Sequence, residues 1–348
     1  MNVKEQVLEV LEQNKGDYIS GGKLAAKLKV SRNAVWKAIK SLQEEGYSIE
    51  AGTNRGYRLQ VENDILSAPG IRKYLLPEFK QLELEVYKSI DSTNTRIKEY
   101  ASDGRPEGLI VIAEEQTKGR GRMGRSFYSP NSSGIYMSFL LRPRFSAEES
   151  LYLTTAAAVA AAETIDEVLG IRPDEEGALI KWVNDVFFRG KKVCGILTEA
   201  SVNVENSMLE YAVTGIGFNV YEPEGGFPKE IQEIAGSILG ARPDQGQTRK
   251  LSTEDLDDLR VGADVRSRIA AGMINHFMKY YETLTERSYM PEYKRRSFLL
   301  GKEVRTVSEP PVQGTAVDID EEGHLILELA DGSRKLLSSG EVSVRPVK

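Results

Sequence analysis

The chain has 348 residues, of which 40% are hydrophobic and 28% charged. That length is too great for one modest domain, and the composition is ordinary for a folded protein, which excludes a disordered chain. No apolar run approaches the roughly 20 residues that a membrane-spanning helix needs, and the first residues lack the apolar stretch of a signal peptide. We therefore expect two or three domains in a cytoplasmic protein.

Cysteine, histidine and charge narrow the possible classes further. A single cysteine, Cys194, excludes an internal disulfide, and two histidines far apart in sequence form no recognisable zinc-ligand cluster. Residues 1–60 hold ten basic and seven acidic side chains, a net charge of +3, so the remainder carries −9 of the total of −6. A mildly basic head on an acidic body is typical of a DNA-reading module joined to another domain.

The N-terminal 60 residues predict three helices and a hairpin. Ser31 is an N-cap type of residue, and Gly46 ends the third helix. The turn signal at 52–56 separates two short strands at 47–50 and 56–59. Apolar residues at helical spacing define the three buried faces: Val3 to Leu11, Leu24 to Leu28, and Val35, Trp36, Ile39 and Leu42. This pattern predicts a winged helix-turn-helix.

In such a module the third helix enters the major groove and the wing contacts phosphate. A winged helix that binds another protein, with its basic residues merely solvated, is the alternative. The residues that we expect to face DNA are Ser31, Arg32, Asn33 and Lys37 on the helix, and Arg55 and Arg58 on the wing.

Residues 64–82 are predicted to be a connector with one short helix around Ile71 to Leu76. A strand at 82–87 then leads to the polar run 89–94 and a helix that ends at Ala101. Short hydroxyl and amide side chains at this point can simply cap the helix, or they can hydrogen-bond a compact polar ligand such as a ureido ring. The residues alone leave both interpretations open.

The segment 114–134, EEQTKGRGRMGRSFYSPNSSG, follows an apolar strand at 109–113. Its glycines let the backbone fold closely around a ligand, and Arg120, Arg122 and Arg125 offer guanidinium groups suited to phosphate. The segment lacks the Gly-Lys-Ser/Thr of a Walker loop. We predict an anion clamp that becomes ordered when it is occupied, with a basic loop for nucleic acid as the alternative.

Next come an alanine-rich helix at about 148–169 and three strands. The first two strands and a hairpin lie within 179–200, where Asn184 and Asp185 form a turn that can be purely structural. The third, 209–220, places Gly215 and Gly217 on one face, which either weakens the strand or admits a flat ligand. A helix near 263–286 is expected to pack on this sheet, and the last 50 residues predict a small β-barrel.

Four motifs in this order resemble those of biotin protein ligases. They are Gly119 to Arg125 (GRGRMGR), Lys181 to Val186 (KWVNDV), Lys192 to Glu199 (KVCGILTE) and Gly215 to Val220 (GIGFNV). With the winged helix in front, the chain is similar to the bifunctional BirA type of that family, which is both ligase and biotin-responsive repressor. The resemblance covers most of the chain.

The resemblance implies an α+β multidomain fold in four parts. These are a winged helix-turn-helix at 1–63, the connector at 64–82, a mixed α/β catalytic domain at 83–298, and a small SH3-like β-barrel at 299–348. It also implies biotin and ATP as substrates and Mg²⁺ with the ATP. The implied partners are a lysine of a biotin carboxyl carrier protein, operator DNA, and a second copy of the chain in a homodimer promoted by biotinyl-5′-AMP.

The same resemblance assigns roles to residues. The catalytic set is Lys192, Arg120, Arg122 and Asp185, with Asp185 orienting or deprotonating the incoming lysine. Residues expected to bind ATP or the adenylate are Arg120, Arg122, Arg125, Lys181, Asn184 and Asn219. Residues expected at biotin are Ser92, Thr93, Asn94, Gln116, Gly119, Arg120, Gly121, Arg122, Trp182, Lys192, Gly195, Gly215 and Gly217.

Three departures from the family pattern are visible. Phe127 stands where many members have Trp, Val183 stands where they have Pro, and 222–262 is longer than in compact relatives. We expect the first two to alter packing more than chemistry, and the third to alter dimer contacts or carrier docking. Competing functions are a lipoate ligase, a ligand-sensing DNA-binding regulator without catalysis, and a ligase whose winged helix has lost its operator.

Overall fold

The computed structural model describes residues 2–172, 174–202, 208–242, 264–307, 310–338 and 344–346. The chain divides into two compact units. Unit 1 comprises Met1–Lys80 and Pro243–Ala271, and unit 2 comprises Gln81–Arg242 and Gly272–Lys348. The four linear domain boundaries expected from the sequence stay a prediction.

Unit 1 contains the predicted helices and hairpin. They are α1 (Val3–Gln13), α2 (Gly21–Leu28), α3 (Arg32–Glu44), β1 (Ile49–Gly52) and β2 (Gly56–Leu59). The side chains of Asn2, Ser20 and Ser31 cap the three helices by accepting backbone N–H groups. β1 and β2 pair antiparallel, and the apolar faces of all five elements form one core. The helix-turn-helix prediction is confirmed.

The connector helix lies earlier than expected. α4 spans Ala68–Arg72, instead of the predicted Ile71 to Leu76, and a short 3-10 helix follows at Pro77–Phe79. Ser67 accepts a hydrogen bond from Gly70 N (3.1 Å), and Pro69 occupies the first turn, where its missing N–H costs nothing. The sequence prediction placed the helix too late because it did not take Ser67 and Pro69 into account.

Unit 2 is built on a mixed sheet. In the described residues seven strands lie in the order β3-β4-β5-β9-β8-β7-β6, and β3 and β4 are parallel while the other neighbours pair antiparallel. The strands are β3 (Glu83–Tyr87), β4 (Leu109–Ala113), β5 (Gly134–Leu141), β6 (Leu179–Lys181), β7 (Asp185–Phe188), β8 (Lys191–Val202) and β9 (Leu209–Asn219).

Helices pack against this sheet. α5 (Thr93–Ser102) and the alanine-rich α6 (Leu151–Leu169) belong to unit 2, and α6 begins three residues later than predicted. α7 (Val265–Glu282) is one helix whose residues up to Ala271 belong to unit 1 and from Gly272 to unit 2. The Phe277 ring lies 4.9 Å from that of Phe139 on β5, which confirms the predicted packing of this helix.

The C-terminal residues form a small antiparallel sheet. After α8 (Met290–Arg296) the described strands are ordered β13-β12-β11-β10-β14. Their bounds are β10 (Glu303–Thr306), β11 (Gln313–Ile319), β12 (Leu325–Glu328), β13 (Arg334–Leu337) and β14 (Val344–Pro346). β13 pairs with β12, and β14 pairs with β10.

Candidate active site and DNA-facing surface

A cavity of about 150 Å³ in unit 2 lies where α5 begins beside β8 and β9. Ser92 is the N-cap of α5, and its hydroxyl lies 3.5 Å from Thr95 N. Thr93 and Asn94, in the first turn, are almost fully buried and line the cavity together with Ser92. The polar run therefore both caps the helix and supplies side chains to the cavity.

Gln116 joins the arginine-rich segment to this helix start. Its Oε1 accepts hydrogen bonds from Thr93 N (2.9 Å) and Thr93 Oγ1 (3.1 Å), and its Nε2 donates to Ser129 Oγ (3.1 Å). Sequence reasoning identified Gln116 but missed Ser129. These bonds fix the amide of Gln116 before any ligand enters.

Ser138 is a buried polar residue that the sequence analysis missed. Its hydroxyl donates to Asn94 Oδ1 (2.6 Å) and lies 2.7 Å from Thr93 Oγ1. Asn94 Nδ2 in turn donates to Glu199 Oε2 (2.9 Å). Both ends of the Asn94 amide are therefore held in one orientation. We call Ser92, Thr93, Asn94, Gln116 and Ser138 the polar wall.

The glycines of β8 and β9 leave room for protein side chains. A Cβ on Gly215 would overlap the Asn94 amide, and one on Gly217 would come within 2.5 Å of the Phe127 ring. A Cβ on Gly195 would lie 3.0 Å from the same ring. All three glycines line the cavity, with Asn94 and Phe127 against them, so the expectation that this face admits a flat ligand stays a prediction.

The arginine-rich segment folds as a small hairpin over residues 119–127. Phe127 N donates to Gly119 O (2.9 Å), and Gly121 N donates to Arg125 O (2.7 Å). The backbone at Met123 is left-handed (φ 57°), and its side chain is 65% exposed. The hairpin places Arg120, Gly121, Arg122 and Arg125 along the cavity. That ligand binding orders this segment stays a prediction.

Arg120 is linked to a carboxylate that the sequence analysis did not place at the site. Its Nη1 lies 3.2 Å from Glu199 Oε1, and Lys98 Nζ lies 2.6 Å from the same oxygen. Burial raises the pKa of Glu199, but hydrogen bonds from Lys98 and Asn94 and the nearby Arg120 lower it below its ordinary value. Glu199 therefore ties the hairpin to α5 and β8 as a carboxylate.

Arg122 is the more enclosed of the cavity arginines. Its Nη1 donates to Asn184 Oδ1 (3.2 Å), and Asn184 is itself held by a bond from its Nδ2 to Ile196 O (2.7 Å). Burial lowers the pKa of Arg122 below its ordinary value, while the carboxylate of Asp185 opposes the shift. Asn184 and Asp185 thus serve the cavity as well as the turn.

Lys192 and Asp185 form the ion pair of the cavity floor, with Nζ and Oδ1 2.6 Å apart. Both side chains are about one quarter exposed, so they remain accessible from the cavity. The cation of such a pair can bind an anionic ligand. The carboxylate can accept a proton from a basic group that enters the cavity.

A second cavity of about 270 Å³ adjoins the first. The residues that line both are Arg122, Arg125, Ser126, Phe127, Asn184, Asp185 and Lys192. The further residues that line it alone include Tyr128, Lys181, Trp182, Asn219, Phe227, Ile231 and Ile234. Tyr128 and Phe227 meet edge to face, with centroids 6.4 Å apart. Sequence reasoning missed Tyr128, Phe227, Ile231 and Ile234, since nothing in the pattern pointed their side chains here.

The structure places Trp182 on the second cavity, whereas the sequence analysis expected it at biotin. Its indole Nε1 donates to Gly323 O (2.9 Å), and its peptide bond with Val183 is cis. Asn219 Nδ2 donates to Gly236 O (3.0 Å). The part of the longer segment up to residue 242 thus contributes to this cavity, and 243–262 lie outside the described residues.

The residues of unit 1 that we expect to face DNA differ from one another in their contacts and exposure. Ser31 caps α3 by accepting from Ala34 N (3.1 Å), and the Arg32 guanidinium lies beside Gly22 of α2. Asn33 and Lys37 are exposed on α3. Trp36 was expected in the core but is 49% exposed, because Val35, Ala38, Ile39 and Leu42 already fill the buried face.

The wing arginines are ordered by an aromatic ring. The guanidinium carbons of Arg55 and Arg58 each lie 4.7 Å from the centroid of Tyr18. Arg58 also pairs with Glu50 (2.5 Å), whose charge offsets that of Arg58. Arg55 is therefore the better placed of the two for phosphate.

Comparison with known proteins identifies the family. A family model for the Biotin/lipoate A/B protein ligase family matches residues 86–219. An HTH domain matches 3–58, and a Biotin protein ligase C terminal domain matches 299–345. The bifunctional ligase/repressor BirA of Bacillus subtilis is 34% identical over 97% of each chain. The chain belongs to the biotin protein ligase family.

Other members agree with this assignment. The biotin–[acetyl-CoA-carboxylase] ligase of Mycobacterium tuberculosis is 30% identical over 75% of this chain and 88% of its own. The biotin protein ligase of Aquifex aeolicus, solved with biotin and ATP, is 28% identical with a TM-score of 0.56. It covers 76% of this chain and 99% of its own. The arrangement with an N-terminal HTH domain is that of the family's ligase/repressors.

Proposed function

We propose that this chain attaches biotin to a lysine of a carrier protein in two steps, and that its biotin-bound form represses transcription. The observation that carries the ligase activity is the pair of adjoining cavities, one with a neutral polar wall and one with aromatic walls, joined at Arg122, Asp185 and Lys192. A ligand can therefore place a neutral head group in the first cavity and a carboxylate where the cavities join, while a nucleotide lies in the second cavity.

In the first step a biotin carboxylate oxygen attacks the α-phosphorus of ATP, and pyrophosphate leaves. The polar wall holds the ureido ring, while Arg120, Arg122 and Lys192 stand where negative charge accumulates on the carboxylate and phosphate oxygens. Cationic donors that are already fixed at such oxygens stabilise the transition state without reorganisation. The hydrogen bond to Asn184 and the ion pair with Asp185 provide that fixation.

The nucleotide occupies the second cavity. Lys181 and Arg125 reach its phosphates, and the aromatic and aliphatic side chains around Phe227 receive the base. Asn184 and Asn219 contribute mainly by positioning, because their amides are committed to Arg122, Ile196 and Gly236.

In the second step the lysine amine of the carrier attacks the acyl carbon of biotinyl-5′-AMP. A new amide bond forms, AMP leaves with the bonding electrons, and the amine gives up a proton. Asp185 is accessible from both cavities and accepts that proton, and its ion pair with Lys192 orients the carboxylate.

Mg²⁺ would accompany ATP, and the residues of the site can be tested for ligands to it. Among the described residues that line the two cavities, Asp185 is the only carboxylate, and it is engaged by Lys192. The chain thus fits a metal held mainly by the phosphate oxygens of ATP and by water, as Mg²⁺ prefers at nucleotide sites. Its contribution is charge neutralisation at those phosphates.

The decisive experiment is transfer of labelled biotin to a biotin carboxyl carrier domain with ATP and Mg²⁺. Rapid labelling by the wild type is expected, and lipoate in place of biotin should give little. The absence of labelling by the folded protein would contradict the ligase assignment. Pyrophosphate release with biotin and ATP then separates a ligase from a regulator that does not catalyse.

Repression uses the winged helix of unit 1. Two half-sites need two winged helices, so we propose that biotinyl-5′-AMP promotes a homodimer in the cytoplasm, and that this dimer binds operator DNA at biotin genes. Sedimentation should show more dimer with biotin and ATP than without. Binding to a biotin-operon fragment should weaken steeply with salt, and equal affinity for unrelated DNA would contradict repression.

A further inference from the structure

The two tryptophans of this chain lie in opposite surroundings. Trp182 is 4% exposed and hydrogen-bonded to Gly323 O. Trp36, on the helix expected to enter DNA, is 49% exposed. A lone exposed apolar residue is common and signifies nothing by itself, so the neighbours of Trp36 decide its meaning.

The fold of unit 1 does not require Trp36. Val35, Ala38, Ile39 and Leu42 each have no more than 6% exposure and close the buried face of α3. Substituting Trp36 should therefore leave the core of unit 1 in place.

The neighbours of Trp36 on the helix surface are polar or cationic. Asn33 lies one turn before it and Lys40 one turn after it, and Lys37 follows it directly; all three are exposed. The first turn of α3 holds no acidic residue. Arg55, on the wing of the same unit, adds a further cation. The positive charge of these side chains favours a polyanion as the partner of this surface over a second copy of the chain.

The position of Trp36 suits contact with bases. It lies in the second turn of α3, about 6 Å along the axis from the first residue, within the N-terminal part that reaches base edges in helix-turn-helix proteins. An indole cannot pair with phosphate, but it offers an apolar ring and one N–H donor. The apolar group that a base pair presents in the major groove is the C5 methyl of thymine.

We propose that Trp36 reads sequence at the operator by packing its ring against thymine methyl groups, while Lys37 contacts phosphate. This inference rests on the proposed repressor function. It assigns to Trp36 the recognition of thymine methyl groups, which a charged side chain does not provide.

The test compares Trp36→Ala with Lys37→Ala in the full-length protein with biotin and ATP. Fluorescence anisotropy would measure binding to a labelled biotin-operon duplex and to a scrambled duplex of equal length over a range of salt. Trp36→Ala should lose about 10- to 100-fold in affinity for the operator, with unchanged scrambled binding and salt slope. Lys37→Ala should weaken both duplexes and reduce the salt slope by about one.

A second arm removes the methyl group from the DNA. Replacing thymines of the operator by uracil, one half-site position at a time, should weaken wild-type binding at one or two positions. The same replacements should not affect Trp36→Ala, because the partner of the methyl group is already gone. Biotin transfer and the unfolding temperature of Trp36→Ala should equal those of the wild type.

Each other outcome overturns the inference in a distinct way. Operator binding by Trp36→Ala at wild-type strength would show that the ring reads no base. An equal loss on both duplexes together with a lower dimer fraction in sedimentation would assign Trp36 to contacts between protein chains. A wild-type protein that does not prefer the operator would refute the repressor function itself.

Discussion

The polar wall and the arginine hairpin adjoin the same cavity but are built in opposite ways. Four side chains of the wall are buried and Gln116 is half-buried, and the wall is held by hydrogen bonds such as Ser138 to Asn94 and Thr93 to Gln116. The hairpin holds its backbone by turn hydrogen bonds and leaves Arg120 and Arg125 largely exposed. A neutral ring needs fixed partners in fixed places, whereas phosphate charge attracts cations from several positions.

Arg122 departs from this contrast, since it belongs to the hairpin but is partly buried and bonded to Asn184. Arg122→Ala should therefore have the largest effect and slow biotin transfer about 10²- to 10³-fold, the usual cost of losing one fixed donor at a developing oxyanion. The measurement is initial-rate labelling of the carrier domain. Arg172→Ala, an exposed arginine that lines neither cavity, is the matched control and should transfer normally. A near-normal rate for Arg122→Ala would mean that the hairpin needs no fixed cation.

Asp185 lines both cavities, so its substitution tests the second of the two proposed steps. Asp185→Asn should slow transfer from preformed biotinyl-5′-AMP about 10²-fold, within the range for loss of a general base. Pyrophosphate release should change less, because Arg120 and Arg122 keep their partners Glu199 and Asn184. Quenched-flow assays of the two steps measure both. Unchanged transfer from preformed adenylate would remove Asp185 from the base role.

Gly215→Ala tests whether the wall is as rigid as its hydrogen bonds indicate. The new methyl group would overlap the Asn94 amide and displace it from Ser138. We expect the KM for biotin to rise about 10-fold, equivalent to about 1.4 kcal/mol, with a smaller change in the KM for ATP. Adding Asn94→Ala removes the overlap and should restore the unfolding temperature lost in the single variant. Equal rises in both KM values would show that the wall does not distinguish the two ligands.

Glu199 contacts Asn94 of the polar wall and Arg120 of the hairpin, and its substitution should have the smallest effect of the four. Its folded-state pKa is lowered, so its stabilising contribution is present above the ordinary value of 4.5 and is lost as pH falls through the folded value. Glu199→Gln should be less stable than the wild type by about 1–2 kcal/mol at pH 7, and the difference should shrink below pH 4.5. Urea unfolding at several pH values measures this. A difference that grows on acidification would contradict the assigned direction.

The sequence predicted elements and motif positions better than side-chain directions. The winged helix, the strands around GRGRMGR and the packing of the helix near 263–286 are confirmed because they follow from periodicity and turn residues. Ser138 lies within a strand whose residues are all buried, so no alternation indicated which face it would take. Trp36 shows the same limit on a helix, since its spacing matched a core face that four smaller residues fill.

Long-range partners account for most of the rest. Phe227 and Ile234 reach the second cavity from a segment about one hundred residues after the hairpin, and no local pattern connects the two. The roles of the glycines could not be foreseen either. Gly215 and Gly217 were correctly placed on one face, but what occupies that face depends on Asn94 and Phe127.

The helix α7 bears on how this protein can be shortened. Arg266, near its start, is fully enclosed and bonded to Asp64 (3.0 Å). Asp264, just before the helix, pairs with Lys15, which follows α1, and with Lys73 (3.6 Å). A chain that begins after residue 63 would lose Lys15, but it would keep Asp64 for Arg266 and would keep Lys73 and Tyr74 for Asp264. Removing the head would therefore take away one partner from the start of α7, whereas inactivating the DNA-reading surface by substitution keeps the whole polypeptide and all of these contacts.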